Sequence, residues 1–327
     1  TAIKGGSTIT GTPNIDVITG GAGVDTIDGK GGADVVDAGA GNDVFVYTAD
    51  GDLFTAGNAA VDALTGGDGT DEIKIDASIS ATFTIAAADS WASGFTTMEK
   101  ITSGATAEII TISLHNNAYE LGGITTIDLS GDTTTTASNV INVDEETGAT
   151  NGYTITGGAG VETVTGGAGP DTINGEGGND IISGKEGADI INGGAGNDVI
   201  TGDVSGTSAI DVIDGGAGND TFKYVATADL VAGDAFVDSI TGGDGTDTIL
   251  INNNGGSAFT IAGTDLWGRV SGVQSITTLD SDTLVSITLE EEAYTKGLRT
   301  VDLSGITSTT NSNVIDAALE TGTSNAY

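Results

Sequence analysis

The chain has 327 residues, 54 of them glycine and two proline, and its 47 acids against nine Lys and Arg leave a formal charge of −38. So negative a chain excludes nucleic acid and anionic membrane surfaces as partners and points to cations. Glycine weakens helix interiors by roughly 1 kcal/mol each relative to alanine, whereas Ile, Val and Leu interleaved with Thr suit short strands, so an all-β fold is predicted.

Cysteine is absent, which removes disulfides and thiolate metal sites. No run approaches the roughly 18 apolar residues of a membrane span, and the opening "TAIKGGSTIT" is not a signal peptide. The chain starts on Thr1 and stops at Tyr327, on a repeat boundary, so a longer parent protein is expected.

From residue 11 the chain reads in nonapeptides: GTPNIDVIT, GGAGVDTID, GKGGADVVD, AGAGNDVFV. Asp16, Asp25, Asp34 and Asp43 hold the sixth place, and Ile18, Ile27, Val36 and Phe45 the eighth. After an interruption, GNAAVDALT and GGDGTDEIK bring in Asp62 and Asp71. A second array opens at 157 with GGAGVETVT, where Glu162 replaces the aspartate, and continues through Asp171, Asp180, Asp189 and Asp198. Beyond a short insertion that carries Asp203 come Asp211 and Asp220, and beyond another loop Asp238 and Asp247.

A longer period of about 175 residues overlies the short one. "GGDGTDEI" returns as "GGDGTDTI", "AYELGGITTIDLSG" as "AYTKGLRTVDLSG", and "ETGATNGY" as "ETGTSNAY". Two tandem units follow: 1–153, with an acid-bearing roll over 11–74 and a metal-free β-rich segment over 75–153, and 154–327, with the same parts over 157–250 and 251–327. The metal-free segments carry alternating runs such as "EIITISL" and "ITTIDLSG". They read either as a continuation of a parallel β-helix or as a small β-sandwich in each unit.

One apolar place per nonapeptide allows one very short strand, and the glycine-rich half must reverse the chain. Two repeats then close one turn of a flattened coil, with glycine supplying the positive φ that the turns need. Stacked coils put successive sixth-place carboxylates about 4.8 Å apart. At an effective dielectric near 20 such a pair repels by roughly 3 kcal/mol. A hard cation taking six to eight oxygens from carboxylates and exposed carbonyls relieves that repulsion, and calcium suits such a cage better than magnesium. Zinc and copper want His or Cys, and the chain has one His and no Cys.

GGAGNDVIT and its in-phase neighbours resemble the calcium-binding nonapeptide GGxGxDxUx of the RTX (repeats-in-toxin) family. The resemblance implies a right-handed parallel β-roll, a β-helix-like solenoid, with calcium in its Gly-Asp turns over 11–74 and 157–250. It makes the fourteen sixth-place aspartates the expected ligands. Pro13 and Asn14 stand in for turn glycines, and GNAAVDALT, GTSAIDVID and GDAFVDSIT lack the central one, so weak or absent binding is expected there. With one ion between acids two repeats apart, the arrays hold up to about eleven calcium ions.

Catalytic patterns are missing: there is no HExxH, GxSxG or Walker loop. His115 is the only histidine, and its counterpart in the second unit is Glu290, which favours a strand-end role over chemistry. Trp91 and Trp267 read as cap or core aromatics, with a sugar-stacking platform the alternative. Glu145 and Glu146 read as a solvated edge, not a glycosidase pair. Residues outside the coil form no regular Thr ladder, which argues against ice binding.

The metal-free segments resemble spacers of large repetitive bacterial surface proteins. The expectation is a non-enzymatic, extracellular or cell-surface bacterial protein exported by a type I route. It would serve as a repetitive rigid segment of an S-layer, filament or long adhesin that self-associates into a lattice or filament. Two alternatives stand beside it: an adhesive module with a surface carbohydrate ligand, and the secretion and folding domain of an RTX hydrolase.

Overall fold

The computed structural model of the chain describes residues 3, 4, 6–48, 50–53, 61–76, 83–85, 94–104, 109–115, 118, 119, 123–136, 138–145, 147–202, 209–225, 231, 232, 235–252, 259–261, 266–278, 285–290, 293, 295–306 and 314–319. Its strands divide into two compact units, Thr1–Gly167 and Ala168–Tyr327. Helical structure among the described residues comes only in short pieces, among them one turn at Asp50–Leu53 and a 3-10 turn at Leu266–Arg269.

In the first unit one parallel sheet stacks Ile3–Lys4, Val17–Ala22, Val35–Ala40, Ala63–Asp68 and Phe95–Thr96 in that order. A second takes the alternate repeats, Thr8–Thr10, Thr26–Asp28, Val44–Tyr47 and Glu72–Ile75, and runs on through Lys100–Ser103, Thr126–Asp128 and Thr154–Thr156. The register fixes the coil. Val17 lies beside Val35 and Thr26 beside Val44, eighteen residues on, so two nonapeptides make one turn. Val35 lies beside Ala63, so the ladder keeps its register across the extra residues between them.

The second unit repeats this plan. Thr172–Asn174, Ile190–Ala195, Val212–Ala217, Ser239–Asp244 and Val270–Ser271 form one sheet. Ile181–Ser183, Val199–Thr201, Thr221–Tyr224, Asp247–Ile251, Val273–Thr278 and Thr300–Asp302 form the other. This is a parallel β-roll, as the nine-residue period requires.

Alternate repeats differ in a way the period did not show. On one side the strand stops after three or four residues, while on the other it runs for six, into the glycines of the next repeat. Gly21, Gly39 and Gly67 pair in register there, as do Gly194, Gly216 and Gly243. Lacking Cβ atoms, these glycines let backbones approach closely enough to prolong the ladder.

The core is thin: one eighth-place side chain per repeat, such as Ile27, Phe45, Ile73, Ile200, Ile213 and Phe222, each at most 1 % exposed. Burying one such side chain supplies about 1.5–3 kcal/mol, against a backbone ordering cost of about 1–2 kcal/mol for each of nine residues. Apolar burial alone therefore does not hold a coil together.

The segments beyond the acid-bearing repeats are parallel as well. Phe83–Ile85, Ile110–His115, Ser138–Glu145 and Val161–Thr165 pair in sequence order, and Phe259–Ile261, Val285–Glu290 and Val314–Leu319 match them in the second unit. Among the described residues the one antiparallel pair is Val231–Ala232 with Ala235–Phe236. His115 and Glu290 both end their strands at a register shift, His115 beside Glu145. The side chains of His115, Glu290 and Trp267, and the whole of Trp91, Glu146 and Asp203, lie outside the described residues.

Candidate metal centre

The sixth-place residue ends a glycine turn and opens a strand, and its main chain already ties coils together. The carbonyl of Asp25 accepts from the amide of Val44 at 2.8 Å, and that of Asp198 from Thr221 at 2.8 Å. The side chain turns inward. Of the fourteen aspartates, all but Asp16 are buried, none more than 2 % exposed.

These carboxylates form a directed ladder. Along each array an Oδ1 accepts from the main-chain N–H of the sixth-place residue one coil earlier. In the first unit Asp16 donates to Asp34, Asp25 to Asp43, Asp34 to Asp62 and Asp43 to Asp71, at 2.7–2.9 Å. In the second, Asp171 donates to Asp189, Asp180 to Asp198, Asp189 to Asp211, Asp198 to Asp220, Asp211 to Asp238 and Asp220 to Asp247, at 2.8–3.0 Å. One amide per carboxylate fixes the rotamer and leaves the other oxygen to be satisfied.

For Asp34, Asp43, Asp71, Asp198, Asp220 and Asp247 no hydrogen-bond donor reaches the buried Oδ2. The first glycine of the repeat makes the room it occupies. A Cβ on Gly193 would lie 2.5 Å from Asp198 Oδ2 and 2.6 Å from the carbonyl oxygen of Gly215. A Cβ on Gly215 would lie 2.5 Å from Asp220 Oδ2 and 2.6 Å from Gly242 O. Carboxylate and carbonyl oxygens thus crowd one point with no donor between them, a polar cradle suited to a hard cation and to nothing with a lone pair to offer.

Burial raises the pKa of Asp71 to about 6, with the Asp43 and Glu99 charges adding to the shift. Burial raises Asp220 likewise to about 6, with Asp198 and Asp247 adding. Asp43, Asp198 and Asp247 are raised for the same first reason. Loss of solvation penalises the ionised form, and a cation would reverse that penalty.

Among the described residues no three acidic or imidazole side chains gather at one point. An ion held in this roll would therefore draw most of its oxygens from the glycine-rich main chain, with a carboxylate from each flanking coil.

The fourteen acids are not alike. Asp16, in the turn with Pro13 and Asn14, has its Oδ2 taken by the amide of Thr12 at 2.6 Å and its hydroxyl at 3.0 Å. Asp25 Oδ2 accepts from Gly21 N at 3.1 Å. The Oδ2 atoms of Asp62 and Asp238 accept from the hydroxyls of Tyr47 and Tyr224.

Sequence reasoning missed the ends of the ladders. Asp71 N donates to Glu99 Oε2 at 2.7 Å, and Asp247 N to Gln274 Oε1 at 2.6 Å. The signal was there, since "EKI" and "QSI" keep the sixth-to-eighth spacing, but the glycines before them are gone. Asn139 was also missed. Its Oδ1 accepts from Ile110 N at 2.9 Å, and its amide bridges the buried carboxylates of Asp132 at 3.1 Å and Glu162 at 3.0 Å.

Compared with known families, residues 10–45, 156–191, 177–205, 203–223 and 225–250 match the RTX calcium-binding nonapeptide repeat (4 copies). None of the curated proteins matches the chain. Proteins with such repeats are typically secreted bacterial proteins. Family match, parallel roll and acid ladder agree: the chain carries RTX nonapeptide repeats, which bind calcium.

Proposed function

We propose that this chain is a calcium-stiffened structural segment of an extracellular bacterial protein, an S-layer, surface filament or long adhesin, and that it is not an enzyme. In this reading the ladder aspartates are the protein ligands. The observation that carries the assignment is the row of buried carboxylates in which an amide of the preceding coil fixes one oxygen while, as at Asp34, Asp43, Asp71, Asp198, Asp220 and Asp247, no donor reaches the other.

Such a roll is unstable without its ions, because burial of one side chain per repeat offsets neither the chain entropy nor the carboxylate repulsion. Extracellular calcium, in the millimolar range that suits such modules, supplies what is missing only after export. The tandem units supply reach, since solenoids lengthen by stacking neighbours. A residual negative charge keeps unassembled chains apart.

The test is circular dichroism and electron microscopy of the same preparation in chelator and in millimolar calcium. The expected result is loss of most β signal from 11–74 and 157–250 in chelator, and ordered assemblies on adding calcium. Full β content in excess chelator would refute the calcium-dependent fold. Folding without any assembly would refute the structural role and leave the adhesive-module reading.

A further inference from the structure

We propose that in one coil of each unit the calcium position is filled by the protein's own hydrogen-bond donors, Tyr47 at Asp62 and Tyr224 with Arg269 at Asp238, so that these two ladder acids hold no ion. The proposal rests on the reading that the ladder aspartates whose second oxygen no donor reaches bind calcium.

Asp62 and Asp238 obey the ladder rule through Oδ1, which accepts from Asp34 N at 2.9 Å and from Asp211 N at 3.0 Å. Their second oxygens differ from those of Asp34, Asp43, Asp71, Asp198, Asp220 and Asp247, which no donor reaches. Tyr47 donates its hydroxyl to Asp62 Oδ2 at 2.7 Å, and Tyr224 donates to Asp238 Oδ2 at 2.9 Å. Both partners of each pair are buried, the most exposed being Tyr47 at 6 %, so water does not take the hydroxyl's place.

The tyrosines reach their acids from the far side of the roll. Tyr47 is the last residue of Val44–Tyr47, in one sheet, whereas Asp62 precedes Ala63–Asp68 in the other. Tyr224 likewise ends Thr221–Tyr224, and Asp238 precedes Ser239–Asp244 in the opposite sheet. Spanning the core to end on a donor takes a side chain of this length with a polar tip, which is why the inward place holds Tyr and not another Ile or Phe.

A second donor is present in the second unit. Arg269 Nη1 donates to the carbonyl of Val237 at 2.7 Å, immediately before Asp238. A calcium ion would compete with the tyrosine for the carboxylate's lone pairs and with the guanidinium for the carbonyl's, beside a cation that cannot be deprotonated. The turn itself is also changed. GDAFVDSIT has no glycine in fourth place, and an antiparallel pair, Val231–Ala232 with Ala235–Phe236, precedes the acid. GNAAVDALT lacks the same glycine.

Both coils directly follow an insertion into the array. An O–H donor closes a carboxylate without the carbonyl-lined glycine turn that an ion demands, so a loop can leave the roll there without breaking the ladder. The two pairs thus act as calcium-independent clamps within calcium-dependent arrays, and the expected ion count falls from about eleven to about nine.

The test is calcium stoichiometry by titration calorimetry on the full chain, with Asp62→Asn and Asp238→Asn combined in one variant, and Asp198→Asn as the reference. The double variant is expected to bind as many ions as the unaltered chain, while Asp198→Asn binds at least one fewer. Loss of ions from the double variant overturns the proposal. If Asp198→Asn loses none, the ladder assignment itself fails, and this proposal with it. Should the double variant not fold, Tyr47→Phe with Tyr224→Phe decides: its melting temperature in saturating calcium is expected to fall by at least about 2 °C, since each buried acid oxygen is left bare. An unchanged melting temperature overturns the clamp.

Discussion

Asp198→Asn separates a calcium ligand from a merely buried acid, because the two roles give opposite signs in two solvents. Asp198 is 1 % exposed, its Oδ1 accepts from Asp180 N at 2.8 Å, and its Oδ2 has no donor. Asparagine keeps the acceptor for Asp180 and replaces the anionic oxygen by an N–H group. In calcium the substitution weakens the cages on both sides of the coil. Losing one ion from a site held at about a hundred times its dissociation constant lowers stability by about 3 kcal/mol. For a unit of this size that corresponds to about 6–12 °C in melting temperature.

In chelator the balance reverses. Two carboxylate repulsions of about 3 kcal/mol each disappear, against about 1–3 kcal/mol for an amide N–H buried without an acceptor. The variant is therefore expected to retain as much β signal in chelator as the unaltered chain, or more, while melting earlier in calcium. Asp214→Asn, at an exposed, outward place on Val212–Ala217, is the control and should change neither. Thermal melts by circular dichroism in both solvents, with calcium titrations, read the result. A change of the same sign in both solvents, or equal behaviour of the two variants, would refute the ligand assignment.

Gly196→Ala is expected to cost more than about 3 kcal/mol in calcium, judged by denaturant titration: Gly196 has φ 146°, and a Cβ there would run into the carbonyl oxygen of Gly178. Lys185 already sits at φ 74° in a turn, so Lys185→Gly should change stability by less than about 1 kcal/mol, left-handed strain being exchanged for chain entropy. Acid should favour the calcium-free roll. Asp71 and Asp220, near 6 in the fold and near 3.9 when unfolded, bind more protons folded than unfolded between those values. The metal-free fold thus loses up to about 3 kcal/mol per group as pH rises from 4 to 6. Circular dichroism in chelator should show more β structure at pH 5 than at pH 7, and calorimetry at pH 5.5 should show protons released as calcium binds; less β structure at pH 5 would refute the shift.

The nine-residue period by itself determined the coil. With one apolar place per repeat, glycine before it and an acid between, nothing but short parallel strands joined by glycine turns buries Ile27, Ile200 and their kin in one row. Charge did the same for the ligand, since stacked acids at strand spacing without lysine or arginine leave a hard cation as the one remaining counter-charge. Only the tertiary structure decided which acids differ. Asp62 and Asp198 occupy the same sequence place, yet one faces a tyrosine hydroxyl and the other a glycine cradle, because the residue that distinguishes them comes from a strand in the opposite sheet. Glu99, Gln274 and Asn139 escaped notice for a related reason. The ladder needs from its last members only an acceptor oxygen in register, a condition set by how strands stack across the coil and not by the glycines that mark the repeat along the chain.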